Sequence, residues 1–395
     1  MKNKLSVTRQ NLLDLDQKGL VEYFADLGER AFRARQILQW VYQRGVWDFS
    51  KMTDLSQALR GFLQDNAHIT LPEVVERRES KDGTIKWIVR VSNGDCVETV
   101  LIPERGRNTL CVSSQVGCVL DCKFCSTGKQ GFNGNLATSD IIGQVLLANL
   151  DLAEHDSGKT NRRVTNVVLM GMGEPLLNFD AVIPATNLML DDLAFGISKR
   201  RVTVSTAGVV PGIYALTKVT DVALAISLHA GNNALRDELV PINRKYPIEE
   251  LIAACQHYLG VLGERRSITV EYTLMRDVND SLTDAKEIAE LLKDLRCKIN
   301  LIPFNPFPGS GFDKPSRNRV YAFQTYLMQA GFATMLRTTR GDDINAACGQ
   351  LVGQVNDRTK RQMRYRARIE ATLLDADKAA NLDADDAAND ATEVA

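Results

Sequence analysis

From Thr109 onward, short apolar segments typical of strands alternate with longer segments of helical periodicity. This alternation is the strongest constraint on the fold, because a strand, a helix and a second strand in succession form a parallel βαβ unit. It predicts a barrel or a doubly wound sheet. The candidate strands are 110–114, 164–170, 201–206, 222–228, 268–274, 298–303 and 332–337.

Two different regions precede this alternation. Residues 6–66 are predicted to be helical, since apolar side chains such as Ile37 and Val41 recur at helical spacing. Residues 73–102 are typical of a β-meander with Asp82-Gly83 and Asn93-Gly94 turns. We therefore predict an α/β protein with an N-terminal helical accessory domain (1–72), a β-meander linker (73–108), a partial barrel (109–348), a basic C-terminal helix (349–374) and a disordered acidic tail (375–395).

Charge is distributed unevenly along the chain. Residues 375–395 contain seven acidic residues and one lysine, a net charge of −6. Since the whole chain carries −1, residues 1–374 carry +5. A mildly basic body is compatible with a polyanionic partner. Arginines at 30, 33, 35 and 44 and the basic segment 358–368 could form an RNA surface, although their spacing alone favours solvated helix faces.

Charged residues interrupt every apolar stretch before it reaches membrane-spanning length, which argues against a transmembrane protein. The first residues also lack the apolar run of a signal peptide. We therefore expect a cytoplasmic protein with no membrane association.

Three of the eight cysteines lie within eight residues, at Cys118, Cys122 and Cys125. A structural zinc site needs four ligands, usually as two CxxC pairs, and no second pair is present. Three thiolates suit a four-iron, four-sulfur cluster in which one iron stays open to a further ligand. A degraded zinc site is the alternative interpretation.

Polar residues follow several candidate strands, where parallel α/β barrels carry their chemistry. A glycine-rich turn with Gly173 and Glu174 follows the second strand, and Ser205 ends the third. Ser227, Leu228 and His229 end the fourth, and Asn305 follows the sixth. Each residue is a weak signal alone, and together they predict a polar rim.

At its cysteine cluster, with Phe124 before the last cysteine, the chain resembles the radical S-adenosylmethionine (SAM) superfamily. A closer resemblance is to the RlmN/Cfr family of RNA adenosine methyltransferases. It extends from the N-terminal helices to the basic segment near Arg368. The phrases that carry it are Cys111-Val-Ser-Ser-Gln-Val-Gly-Cys118, Met170-Gly-Met-Gly-Glu-Pro-Leu176, Ala225-Ile-Ser-Leu-His-Ala230 and Arg340-Gly-Asp-Asp-Ile-Asn-Ala-Ala-Cys348-Gly-Gln-Leu351.

The resemblance implies a partial (βα)6 radical SAM barrel and two SAM molecules per turnover. Cys348 would accept a methyl group from the first. A radical made from the second would activate that methyl group for addition to C2 of adenine. Cys111 would resolve the protein–RNA adduct by pairing with Cys348 in a transient disulfide, and Glu98 would accept a proton. The implied SAM-binding residues are Gly173, Glu174, Ser205, Ser227, Leu228, His229 and Asn305, and the implied cluster ligands are Cys118, Cys122 and Cys125.

The implied substrates are an adenosine in the peptidyl-transferase region of 23S rRNA and the adenosine 3′ of the anticodon in some tRNAs. An electron donor such as flavodoxin and a monomeric state are also expected. Two alternatives stay open at this point. One is methylation of the same rRNA adenosine at C8, which uses the same cysteines, and the other is an iron–sulfur RNA-binding or redox protein without methyl transfer.

Overall fold

The computed structural model describes residues 9–155, 163–346 and 349–351. Its N-terminal part is mainly helical, as predicted. Asp16 and Ser56 each begin a helix by accepting a hydrogen bond from a backbone N–H three residues later, at 2.9 and 3.2 Å. The elements are β1 (Gln10–Asn11), α1 (Gln17–Asp26), α2 (Phe32–Leu38), α3 (Gln57–Asn66) and β2 (Ala67–His68).

The β-meander is confirmed, and it is continuous with the main sheet. Gly83 and Gly94 occupy its turns with φ of 82° and 88°, a conformation that glycine adopts without strain. Its last strand pairs antiparallel with the first strand of the parallel region, so the two parts share one sheet. The strands are β3 (Glu73–Glu79), β4 (Ile85–Arg90), β5 (Cys96–Glu104) and β6 (Arg107–Cys111).

A partial parallel barrel follows, as expected. β7 (Gln115–Gly117) and β8 (Phe132–Asn135) form a small separate pair. The other strands continue the main sheet: β9 (Asn166–Leu169), β10 (Val202–Thr206), β11 (Ala223–Ser227), β12 (Ile268–Leu274), β13 (Cys297–Pro303) and β14 (Ala333–Leu336).

Ten strands form this sheet in the order β14-β13-β12-β11-β10-β9-β6-β5-β4-β3, with β14 and β3 as its open edges. Within the described residues, seven neighbouring strands of the sheet, from β6 to β14, are parallel, as the seven candidate segments predict and one more than the six that the family resemblance implies. Each overlaps a candidate segment of the sequence. β6 begins three residues before its candidate, since its first half pairs with β5.

Helices connect the parallel strands. α9 (Ile248–Leu262) shows why these segments are helical: its apolar residues Leu251, Ala254 and Tyr258 recur every three or four positions and are fully buried. Across the described residues, no helix is both long and apolar enough to span a membrane. The helices are α4 (Ser126–Lys129), α5 (Thr138–Glu154), α6 (Phe179–Leu190), α7 (Val210–Leu216), α8 (Asn233–Leu239), α9 (Ile248–Leu262), α10 (Leu282–Leu292) and α11 (Arg317–Gln329).

Strand register divides the sheet into an apolar face and a polar face. Leu110 is in register with Val167, which is in register with Val202, and all three are buried. On the other face, Ser227 is in register with Glu271, and Glu271 with Asn300. Because side chains alternate along a strand, the second face carries polar residues such as these three to the inside of the open barrel.

Gly143 on α5 provides a test of how the N-terminal region packs. A Cβ atom at this position would lie 2.3 Å from Cδ of Pro72, whose ring cannot move away easily. We expect Gly143→Ala to lower the free energy of unfolding by about 1–3 kcal/mol, measured by urea denaturation. Gly260 on α9 is the control, because a Cβ there meets no atom within 4 Å. Gly260→Ala should stabilise the protein by up to about 1 kcal/mol, and equal effects of the two changes would contradict this packing.

Candidate active site

The three clustered cysteines lie on the loop between β7 and α4, where they are half-buried. Backbone hydrogen bonds shape this loop, including Cys118 N–H to the Gly131 carbonyl at 2.7 Å and Cys125 N–H to the Cys122 carbonyl at 3.1 Å. Gly117 must be glycine, because a Cβ there would lie 2.0 Å from the Gly131 oxygen. The loop therefore presents all three thiols to one cavity.

That cavity, of about 170 Å³, lies at the carboxyl ends of the strands. It brings most of the predicted site residues together, although they come from four separate segments of the chain. The predicted residues that line it are Cys118, Cys122, Cys125, Gly173, Glu174, Ser205, Ser227 and His229.

Four other predicted residues lie nearby but do not line this cavity. Leu228 has a fully buried side chain, and its N–H and C=O are bonded to the Glu271 carbonyl and the Arg236 guanidinium, each at 3.0 Å. Asn305 lines an adjoining cavity of about 420 Å³. Glu98 and Cys111 lie on β5 and β6, and Cys348 lies outside the described residues.

Both glycines of the turn after β9 are required by close packing. A Cβ at Gly171 would lie 2.7 Å from the Ser113 oxygen, and one at Gly173 would lie 2.4 Å from Cβ of Gln115. Gly173 also has φ of 98°. The turn is therefore pressed against the segment that follows β6, and this places Glu174 at the cavity wall.

Glu174 is a buried carboxylate at the cavity wall. One oxygen accepts a hydrogen bond from Ala207 N–H at 2.8 Å, and the other accepts from Leu176 N–H at 3.2 Å. Burial raises the pKa of Glu174 to about 7, against the lowering effect of these hydrogen bonds. A cationic group bound in the cavity would favour the ionised form.

His229 is held in one tautomer. Its φ is 62°, and its Nδ1 accepts a hydrogen bond from Thr273 N–H at 2.9 Å. Burial, with a smaller effect from the Arg236 charge, lowers the pKa of His229 to about 3, so the ring is neutral near pH 7. Since Nδ1 is an acceptor, Nε2 carries the proton and is a donor at the cavity. The rings of Phe124 and His229 meet edge-on, with their centroids 4.4 Å apart.

Sequence reasoning missed Arg236, which is fully buried and organises the rim. Its guanidinium donates to the carbonyls of Ala207, Ser227 and Leu228 at 2.7, 3.0 and 3.0 Å. It therefore ties the ends of β10 and β11 together. An arginine within α8 has the pattern of a solvated helix residue, so its role is visible only in three dimensions.

Glu98 does not have the solvent exposure that its strand position alone would favour. It is buried and forms an ion pair with Lys86 Nζ at 3.0 Å. Register places Val100 opposite Cys111, so Glu98 and Cys111 lie on the same face of adjacent strands. This is the inner face that also carries Ser205, and sequence reasoning missed Lys86.

The cysteine site fits an iron–sulfur cluster. Three thiols line one cavity, and in such a cluster each cysteine sulfur binds a different iron. Burial, with the adjacent Cys118 and Cys125, raises the pKa of the Cys122 thiol, so thiolates here require a compensating positive centre.

The comparisons with known proteins agree with this geometry. A ribosomal RNA large subunit methyltransferase N-terminal domain matches residues 10–69, and the radical SAM superfamily matches residues 112–299. A protein of Marinomonas sp. (strain MWYL1) named dual-specificity RNA methyltransferase RlmN is 60% identical over 361 residues, which cover 91% of this chain and 97% of that protein. The chain belongs to the RlmN family of dual-specificity RNA methyltransferases. It is accordingly a radical SAM enzyme, which uses SAM and an iron–sulfur cluster.

Other RlmN proteins and a solved structure support the same assignment. The RlmN of Pseudomonas fluorescens (strain SBW25) is 56% identical over 370 residues, covering 94% of this chain and 97% of that protein. The crystal structure of a radical SAM methyltransferase from Sphaerobacter thermophilus has a TM-score of 0.79 and 42% identity, and it covers 87% of this chain and 99% of its own. The predicted partial barrel with its accessory region is thus confirmed as the fold of this chain.

Replacement of the three clustered cysteines tests the cluster assignment. Cys118→Ala, Cys122→Ala and Cys125→Ala should each abolish the iron–sulfur absorbance and SAM cleavage, because each removes one of the three predicted cluster ligands. The control is Cys297→Ala. Cys297 lies at the amino end of β13, whereas the site lies at the carboxyl ends of the strands, so this variant should keep the wild-type iron content. The measurement is iron and sulfide content after anaerobic reconstitution. Tight zinc binding without iron in anaerobically purified wild-type protein would contradict the assignment.

Glu174 should make stability depend on pH. Its folded-state pKa of about 7 lies above its usual value of 4.5, so its contribution to stability is present below pH 4.5 and is lost as pH rises through about 7. Between those limits, the free energy of unfolding of wild-type protein should fall by roughly 3 kcal/mol relative to Glu174→Gln. Urea denaturation of both proteins at several pH values measures this difference. A difference that does not vary with pH would show that Glu174 ionises normally.

Proposed function

We propose that the enzyme methylates C2 of an adenosine in the peptidyl-transferase region of 23S rRNA and of the adenosine 3′ of the anticodon in some tRNAs. One observation carries the proposal: Glu98 and Cys111 share the inner face of the sheet whose strand ends form the cysteine-lined cavity. A cluster-binding or redox protein would need neither residue there. The curated relatives named dual-specificity RNA methyltransferases support the two substrate classes.

The chemistry of C2 limits how a methyl group can reach it, because this carbon is electron-poor and cannot attack a sulfonium methyl group directly. The family resemblance implies that the methyl group reaches C2 through the protein. SAM and the cluster supply the radical chemistry when they are bound. We assign Cys348 as the methyl acceptor, Glu98 as the proton acceptor and Cys111 as the residue that forms a transient disulfide with Cys348 to release the product.

The chain on both sides of Cys348 supports this role. Before it, Ala346 N–H donates to the Gly341 carbonyl at 2.9 Å. After it, the Gly349 carbonyl accepts from Ser126 N–H at 2.8 Å, and Gly349 lines the cysteine cavity. Gly349, directly after Cys348, is therefore anchored beside the cluster loop, whereas Ala346 is held within its own turn.

The residues at the strand ends are proposed to bind SAM. Glu174 would accept hydrogen bonds from its ammonium group, to which Gly173 permits close approach. Neutral His229 would donate through Nε2, and the Ser205 and Ser227 hydroxyls would provide polar contacts. Leu228, whose own groups are occupied, would act by holding the backbone of Ser227 and His229, and Asn305 would contact SAM from the adjoining cavity.

RNA phosphates are proposed to meet the basic N-terminal helices and the segment 358–368. Arg30, Arg35 and Arg44 are exposed, and Arg44 stacks on Trp40 at 4.1 Å. Arg33 is half-buried and paired with Glu29 at 3.1 Å, so it is less available. Residues 358–368 lie outside the described part of the chain.

The remaining expectations follow from this function. A protein that modifies rRNA and tRNA works in the cytoplasm, and its cluster needs an electron donor such as flavodoxin. We propose a monomer, because the site is assembled from one chain. The division into parts at 1–72, 73–108, 109–348, 349–374 and 375–395 also remains a proposal.

Unequal effects of the two outer cysteines test the proposed mechanism. Cys348→Ala should acquire no methyl group and form no RNA adduct, because it lacks the acceptor. Cys111→Ala should carry methylated Cys348, react once and stall with RNA attached. A denaturing gel with mass spectrometry of the linked peptide measures both outcomes. Two similarly inactive proteins without a crosslink would contradict these roles.

The position of the methyl group is tested separately. Wild-type protein reconstituted with SAM and a reductant should convert adenosine in both RNAs to its C2-methyl form, identified by liquid chromatography and mass spectrometry of nucleosides against standards. A C8-methyl product would favour the alternative activity, and iron binding without methyl transfer would favour a redox or RNA-binding protein.

A further inference from the structure

Lys86 and Glu98 form an ion pair on the inner face of the sheet. Lys86 Nζ lies 3.0 Å from Glu98 Oε1, and both side chains are only 4% exposed. Removing two charges from water is unfavourable unless their geometry is good and their remaining hydrogen-bonding capacity is used. A buried ion pair of this kind therefore contributes little to stability, so stability alone does not explain its position.

The ion pair lies close to Cys111, one of the residues of the proposed mechanism. Lys86 on β4 is in register with Val100 on β5, and Val100 is in register with Cys111 on β6. Glu98 lies two residues before Val100 and thus on the same face. Lys86, Glu98 and Cys111 consequently occupy one face of three adjacent strands, with Glu98 a diagonal neighbour of the other two.

Lys86 makes a second contact, to the segment that leads to Cys348. Its Nζ donates to the Asn345 carbonyl at 3.1 Å, and Asn345 has φ of 50°. The turn between β3 and β4 holds the same segment: Ser80 Oγ donates to Asp343 Oδ1 at 2.5 Å, and Gly341 N–H donates to Asp82 Oδ2 at 3.1 Å. A single ammonium group thus bridges Glu98 and residues 341–346.

We propose that Lys86 is a positioning residue that keeps Glu98 ionised beside Cys111 and links this carboxylate to the segment carrying Cys348. The inference rests on the proposed function, in which Glu98 takes up the proton that leaves the substituted adenine carbon. Glu98 accepts that proton as a carboxylate and becomes a carboxylic acid. Without a nearby cation, a buried carboxyl group binds a proton at higher pH and cannot act as a base near pH 7.

Other charged groups face this pair and belong in the account. Arg78 on β3 is in register with Lys86 but is half-exposed and bonded to Glu76 at 2.6 Å. Cys111 approaches from β6, and Asp82 and Asp343 lie at the turn and the 341–346 segment. Among the described residues, Lys86 forms the ion pair with Glu98, and the charge of Glu98 also acts on Arg78.

The test uses the reconstituted enzyme with RNA and follows two stages separately. Lys86→Met should still methylate Cys348 and form the RNA adduct, but it should release methylated RNA more slowly near pH 7. The pH of half-maximal release should rise by about one to three units, and higher pH should restore the rate. Lys86→Arg should keep the wild-type profile, because it keeps the cation. Arg90→Met is the matched control: Arg90 lies on the same strand and pairs with the exposed Glu73.

A folded Lys86→Met protein with a wild-type pH profile for release would overturn the inference. If Lys86→Met does not fold, Lys86→Met/Glu98→Gln decides. The double variant should be more stable to urea than Lys86→Met, because it also removes the buried carboxylate that has lost its ion-pair partner Lys86. A double variant no more stable than the single one would also overturn the inference. Failure of the proposed function is distinguished by the wild-type enzyme, which would then produce no C2-methyladenosine at any pH.

Discussion

The arrangement of the site depends on backbone pairing at β6. One edge of this strand pairs parallel with β9, and the other pairs antiparallel with β5. The meander is therefore part of the barrel sheet and extends its inner face. Without this pairing, Glu98 and Lys86 would lie on an appendage with no fixed relation to the strand ends. With it, they share a face with Cys111 and the polar residues that lead to the cysteine cavity.

Buried polar groups then define the rim of the barrel. Arg236 draws three carbonyls at the ends of β10 and β11 toward one guanidinium, and Thr273 N–H selects the tautomer of His229. Such groups are costly to bury unless they are hydrogen-bonded, so their satisfied geometry makes the rim rigid. A rigid rim suits a site that must hold a cofactor close to a reactive radical.

Much of this organisation could be predicted from the chain. The strand and helix alternation predicted all seven parallel strands, and β12 was placed at its observed ends. The spacing of Cys118, Cys122 and Cys125 and the strand-end residues predicted eight residues of the cavity wall. Lys86 and Arg236 could not be found this way, because a lysine on a strand or an arginine on a helix is normally solvated. Only their contacts with residues distant in sequence show that both are buried and hold parts of the site together.

The sequence by itself determined the types of element and the chemistry available, since periodicity and ligand spacing are local properties of the chain. The family relationship is likewise contained in its sequence. The tertiary structure decided which of these residues meet, because strand register alone sets the face on which a side chain lies. It joined the meander to the barrel and paired Glu98 with Lys86. It also moved Asn305 to a second cavity and left Leu228 to act through its backbone, because burial and hydrogen-bond partners are settled by packing across the whole fold.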